Sequence, residues 1–81
     1  MRVRVKLFAQ LRDRAGVDET ACDVRDGATV DDVWQALCAT HETLTPFASS
    51  VSCAINAEYA KRRSRVEDGD EVAFLPPVSG G

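Results

Sequence analysis

Only one stretch of this chain carries a sustained helical period, and the segments around it are patterned for strands. Residues 29–41 place Val30, Val33, Trp34, Leu37, Cys38 and His41 at three- and four-residue spacing, on one face of a helix. Thr29 opens that helix with a hydroxyl able to cap the first turn. Asp32, three residues on, completes a capping-box arrangement and complements the positive helix end. A single apolar stripe, with Trp34 its largest side chain, has to be covered by one apolar surface. In a chain of 81 residues, room for one small domain, that surface is a sheet.

The flanking segments supply the strands. Over residues 2–8, Val3, Val5 and Leu7 fall on one face and Arg2, Arg4, Lys6 and Phe8 on the other. Phe8 is the anomaly, an aromatic ring on a face of cations: either the strand ends there or the ring meets a partner. Residues 9–15 are rich in helix formers and Gly16 suits a left-handed cap, which predicts a helix of one or two turns. A strand pattern resumes over residues 19–24 and stops at the Asp26-Gly27 turn, so the first two strands pair antiparallel with the short helix between them. Pro46 and its small polar neighbours make residues 41–50 a loop, with room for a single turn around Phe47. Val51, Cys53 and Ile55 alternate again. Residues 56–58 then turn the chain, and Tyr59 and Ala60 begin a short return strand. Asp68-Gly69-Asp70 is a second strong turn that delivers residues 71–75 as the last strand, with Val72 and Phe74 inward and Ala73 and Leu75 outward.

This order implies an α+β fold of the ubiquitin-like β-grasp kind, a mixed sheet with one main helix packed on one face. The first and last strands then lie side by side and parallel at its centre. Phe8 and Leu75 emerge on the same open face, and an exposed apolar patch on a small protein marks a partner surface.

Composition removes several function classes. The apolar fraction is 44% and the charged fraction 28%, as in an ordinary soluble domain. A formal charge of −3 argues against nucleic acid, because phosphate binding needs concentrated Lys and Arg. The one basic cluster, Lys61, Arg62, Arg63 and Arg65, reads as a solvated loop or as a docking patch for an acidic partner. Cys22, Cys38 and Cys53 are too widely spaced for a metal or redox motif and sit among apolar neighbours, as small buried hydrophobes do. The N-terminal residues alternate charge with valine rather than forming a signal peptide, and no run approaches the roughly 20 apolar residues of a membrane span. Those features predict a cytoplasmic protein with no membrane or nucleic-acid partner. His41 stands without a catalytic neighbour, and neither a nucleophile–base pair, a metal-ligand spacing nor a phosphate-cradling loop is present. The expectation is a chain that binds no metal or cofactor and is not an enzyme on its own.

Chemistry is then left to the end of the chain. The pattern predicts a domain over residues 1–75 and a flexible tail over residues 76–81 that ends in Gly-Gly. Pro76 and Pro77 favour an extended exit from the last strand, and six residues reach on the order of 20 Å. Gly80 and Gly81 remove side-chain bulk beside the carboxylate, so a partner's tunnel can close around the backbone. A carboxylate is a poor electrophile at neutral pH, and the partner has to activate it, for example as an acyl adenylate.

Several stretches carry a resemblance. Val5-Lys6-Leu7-Phe8-Ala9-Gln10-Leu11-Arg12, Gly27-Ala28-Thr29-Val30, Ile55-Asn56 and, above all, Asp68-Gly69-Asp70-Glu71-Val72-Ala73-Phe74-Leu75-Pro76-Pro77-Val78-Ser79-Gly80-Gly81 resemble the small subunits of molybdopterin synthase, among the ubiquitin-like sulfur carriers. The resemblance implies that an E1-like adenylyltransferase uses ATP to adenylate Gly81, which then becomes a thiocarboxylate. It implies a tail, Pro76, Pro77, Val78, Ser79 and Gly80, that enters the large subunit, where sulfur passes to cyclic pyranopterin monophosphate in molybdenum cofactor biosynthesis. It also implies a heterotetramer with the large subunit, held by an apolar contact through Phe8, Tyr59 and Leu75. Two alternatives share the diglycine: a sulfur carrier for thiazole or cysteine synthesis, and a ubiquitin-like protein modifier.

Overall fold

The structure, a computed structural model, describes residues 1–77. Val78, Ser79, Gly80 and Gly81, on which most of the tail expectation falls, lie outside the described residues. Strand β1 (Arg2–Leu7) follows its alternation to the letter, with Val3, Val5 and Leu7 buried. It stops at Leu7, which decides the position of Phe8: the ring belongs to the N-cap of helix α1 (Ala9–Ala15). Gly16 ends that helix at φ 78°, a left-handed cap that glycine adopts without a Cβ clash, and its N–H donates to the Arg12 carbonyl.

Strand β2 (Glu19–Asp23) returns antiparallel to β1, and the chain then enters the main helix α2 (Val30–Thr40). The capping box forms as expected: the Asp32 N–H donates to Thr29 Oγ1 at 3.2 Å and the Thr29 N–H donates to Asp32 Oδ2 at 2.9 Å. Strands β3 (Ser52–Ile55), β4 (Glu58–Ala60) and β5 (Glu71–Leu75) complete one sheet in the order β2-β1-β5-β3-β4. β1 and β5 are parallel neighbours at its centre and the other pairs are antiparallel, which is the ubiquitin-like β-grasp.

Helix α2 covers one face of the sheet. Val30, Val33, Trp34 and Leu37 point into it, where the Trp34 ring meets Phe74 edge-on with centroids 5.0 Å apart. Aromatic pairs prefer this geometry because the positive ring edge faces the negative ring face. Cys38 and His41 lie at the margin of the stripe, half-buried. Cys22 and Cys53 are buried and all three thiols are free.

Two segments differ from the sequence expectation. Residues 41–50, expected to form a loop with room for a single turn around Phe47, instead carry a 3₁₀ helix over the whole of Glu42–Phe47, which takes Leu44 to full burial. Within the basic cluster, Arg62 is not a solvated side chain. It is half-buried against Asp31 and Trp34, whereas Lys61, Arg63 and Arg65 are exposed. Among the described residues no helix is long and apolar enough to cross a membrane, and no three His, Cys, Asp or Glu side chains come together to hold a metal ion.

Candidate docking site

The face of the sheet opposite α2 carries a row of side chains that the pairing register defines. Glu19, Lys6, Ala73, Ala54 and Tyr59 stand directly opposite one another across all five strands. Ala73 and Ala54 are small, so the row sinks in the middle, and the larger side chains on either side rise as walls. The result is a shallow apolar trough of about 260 Å³ lined by Phe8, Ala54, Ala57, Tyr59, Ala73 and Leu75, with Lys6 and Glu71 at its polar margin.

Local structure explains how each wall is placed. The end of β1 at Leu7 and the reversal into α1 turn Phe8 out of the strand, 42% exposed. The two-residue Asn56-Ala57 turn returns the chain into β4, where Tyr59 is 83% exposed. Leu75 is the last residue of β5 and half-buried, and the chain continues through Pro76 and Pro77 without regular structure. Thus the three residues expected to contact a partner, Phe8, Tyr59 and Leu75, are brought together around one depression. Of the tail, only Pro76 and Pro77 are described, and they leave the sheet at the trough's Leu75 end.

The polar margin carries a carboxylate among its cations. Glu71 Oε2 lies 3.6 Å from both Arg4 Nη2 and Lys6 Nζ, which draws two β1 cations toward one carboxylate. Exposed pairs of this kind contribute at most about 1 kcal/mol to stability. A second and wider hollow beside α1, lined by Arg12, Asp13, Gly16, Val17, Asp18 and Glu19, is charged and holds none of the expected contact residues.

The cysteines are poor candidates for sulfur chemistry. Burial pushes the Cys22 thiol above its usual value, and the adjacent Asp23 adds to that. Burial does the same at Cys38, outweighing a hydrogen bond with Thr45 and the Arg62 charge, and at Cys53, outweighing Arg62. A protonated, sheltered thiol is a weak nucleophile. His41 caps α2, its N–H donating to the Leu37 carbonyl, and no acid–base partner faces it among the described hydrogen bonds.

Sequence reasoning missed the floor of the trough. Ala54 and Ala73 carry no chemistry-bearing group, and what singles them out is a cross-strand register that unites residues far apart in the chain. The outward position of Ala73 in an alternating strand was the one available signal.

Known proteins place this geometry in a family. The ThiS family model matches residues 5–81, from within β1 to the last glycine. The chain is 37% identical to the molybdopterin synthase sulfur carrier subunit of Chlamydomonas reinhardtii, with all of both chains aligned. It is 35% identical to the subunit of that name from Escherichia coli, covering 98% of this chain and 99% of that one. Among solved structures, SAMP1 from Haloferax volcanii superimposes with a TM-score of 0.90 at 34% identity over 100% of both chains. With a full-length match in sequence and in the β-grasp itself, this chain belongs to the ThiS family.

Proposed function

We propose that the chain is the sulfur-carrier subunit of a molybdopterin synthase, with the Gly81 carboxylate as its working group. One observation carries the reading: the family match runs through to Gly81, and the strand that leads to that tail ends at an apolar trough. An E1-like activating enzyme joins the Gly81 carboxylate to the α-phosphate of ATP and releases pyrophosphate. A sulfur donor then displaces AMP and leaves a thiocarboxylate. The charged chain docks on the large subunit through Phe8, Tyr59 and Leu75, and Pro76, Pro77, Val78, Ser79 and Gly80 thread the tail into its active site. There the thiocarboxylate sulfur bonds to cyclic pyranopterin monophosphate, and hydrolysis of the resulting acyl–sulfur bond leaves the sulfur on the pterin and returns the Gly81 carboxylate. The large subunit supplies the groups that bind the pterin, ATP serves only the activation, and two copies of each subunit form a heterotetramer in the cytoplasm.

Such chemistry suits the thiols described above, since a thiocarboxylate is a sulfur nucleophile that needs no cysteine. Incubation with the activating enzyme, ATP and a sulfur source should raise the intact mass by one sulfur for one oxygen, with fragment ions placing the change at Gly81. An unchanged mass, under conditions that charge the Escherichia coli relative, sinks the proposal.

The likeness to SAMP1, whose full name is small archaeal modifier protein 1, favours a second reading, attachment of Gly81 to lysines of other proteins. Isopeptide-linked adducts recovered from cells support it; recovery of only free and thiocarboxylated chain counts against it.

A further inference from the structure

Among the described residues, left-handed backbone outside glycine falls beside the two aromatic walls of the trough. Among the described residues, Ala9, Asn56 and Ala57 are the non-glycine residues with positive φ, at 50°, 49° and 70°. Over the same residues, Phe8 and Tyr59 are the exposed large apolar side chains. The two sets adjoin: Ala9 follows Phe8 directly, and Asn56 and Ala57 form the turn that presents Tyr59 two residues later.

Alanine is a poor choice for such a backbone. Its Cβ crowds the carbonyl oxygen at positive φ, and it lacks the short polar side chain that lets asparagine settle there. A two-residue hairpin turn with positive φ at both positions strongly prefers Asn-Gly, so Ala57 occupies a glycine's place. This chain does use glycine elsewhere: Gly16, Gly27 and Gly69 take the positive-φ positions away from Phe8 and Tyr59. Strained residues persist where their surroundings over-determine them, and they collect at binding sites.

The surroundings do so at both positions. Asn56 is pinned to the start of β5 and the turn before it by three hydrogen bonds: its Nδ2 donates to Asp70 Oδ1 at 3.0 Å, its Oδ1 accepts from the Glu71 N–H at 3.0 Å, and its own N–H donates to the Glu71 carbonyl at 2.8 Å. Phe8 is held between the buried Leu7 and an α1 whose Leu11, fully buried, donates its N–H to the Phe8 carbonyl at 3.1 Å. With both ends fixed, Ala9 and Ala57 are left to absorb the reversal.

We propose that Ala9 and Ala57 are positioning residues of the docking surface: their left-handed backbones hold Phe8 and Tyr59 on either side of the trough before a partner arrives, at a cost to fold stability. The inference rests on reading the trough as the face that meets the large subunit. Glycine at either position relieves the Cβ clash and widens the accessible backbone, so the neighbouring aromatic must be ordered on binding.

The test uses the full chain with Ala9→Gly and Ala57→Gly, measuring melting temperature and affinity for the large subunit. Each variant is expected to melt at or above the parent temperature and to bind about two- to tenfold more weakly, the cost of ordering one side chain on binding. A synthetic chain with D-alanine at position 57, which favours positive φ, is expected to recover the lost affinity. Parent-like affinity in both glycine variants, a lower melting temperature, or no recovery with D-alanine overturns the inference. Phe8→Ala and Tyr59→Ala separate the two levels. If they weaken binding and the glycine variants do not, the positioning role alone falls; if they leave binding unchanged, the docking face falls and takes the inference with it.

Discussion

Arg62 ties three parts of the chain together. Its guanidinium donates to Asp31 Oδ1 from Nε at 3.1 Å and from Nη2 at 2.6 Å, and to the Ala48 carbonyl from Nη1 at 2.6 Å. It also lies over the Trp34 ring, 5.5 Å from the centroid. Arg62→Ala removes those bonds and the stacked cation together, with an expected loss of about 1–3 kcal/mol in urea unfolding. Arg62→Lys recovers only part, since an ammonium lacks the planar fork that serves the carboxylate and the carbonyl at once. By contrast, alanine at Lys61, Arg63 or Arg65 shifts stability by no more than about 0.5 kcal/mol, as for other exposed side chains. Equal losses across the four positions would show that Arg62 has no special place. The sequence had no means of separating Arg62 from its neighbours, because Asp31 lies 31 residues away. Phe8 was legible for the opposite reason, since an aromatic ring that violates a local alternation is visible from the strand alone. Tyr59 was legible only through the family resemblance.

At the scale of elements, the start of α2 is secured from two directions. The capping box satisfies Thr29 and Asp32, while the loop after β4 closes the remaining donors: the Val30 N–H reaches the Ser64 carbonyl at 2.9 Å and the Asp31 N–H reaches the Arg62 carbonyl at 2.8 Å. The hydrogen bond from the Thr29 N–H holds the Asp32 carboxyl below its ordinary 3.8, outweighing desolvation, which opposes it; the nearby Arg25 charge and the Thr29 side chain add smaller contributions in the same downward direction. A depressed carboxyl stabilises the fold above its unfolded value and loses that contribution as pH falls through the lower folded value. Urea midpoints should therefore drop as pH goes below 3.8, and Asp32→Asn should flatten that part of the acid limb; an unchanged acid limb would remove Asp32 from the account. Thr29→Ala is expected to cost about 1 kcal/mol at neutral pH. This helix was readable because its cap and its stripe are both local. The 3₁₀ helix over Glu42–Phe47 was readable only as room for one turn around Phe47, since one buried residue, Leu44, anchors a polar segment that contains Pro46. Its only periodic signal was the three-residue spacing of Leu44 and Phe47.

Over the whole molecule, the surface proposed to hold a partner and the group proposed to react are carried by different parts of the chain. The parallel pairing of β1 with β5 sets Phe8 beside the end of the last strand, and β3 and β4 bring Tyr59 to the same face. Element order was enough to foresee that central pairing, because one helix and a short chain leave few ways to close a mixed sheet. Register was not foreseeable, and with it went the alanine floor. If docking and reaction are separate, two variants fail in opposite ways. Deletion of Gly81 is expected to abolish sulfur loading while leaving melting temperature and affinity for the trough's partner near the parent values. Tyr59→Ala, at an exposed position, is expected to load sulfur normally and melt within about 0.5 kcal/mol of the parent, yet bind the large subunit at least about tenfold more weakly, as loss of an interface aromatic does. Intact mass, thermal melts and titration with the large subunit read the three quantities independently. A Tyr59→Ala chain that binds normally, or a chain lacking Gly81 that still yields molybdopterin, would show that the trough and the terminal glycine do not divide the work in this way.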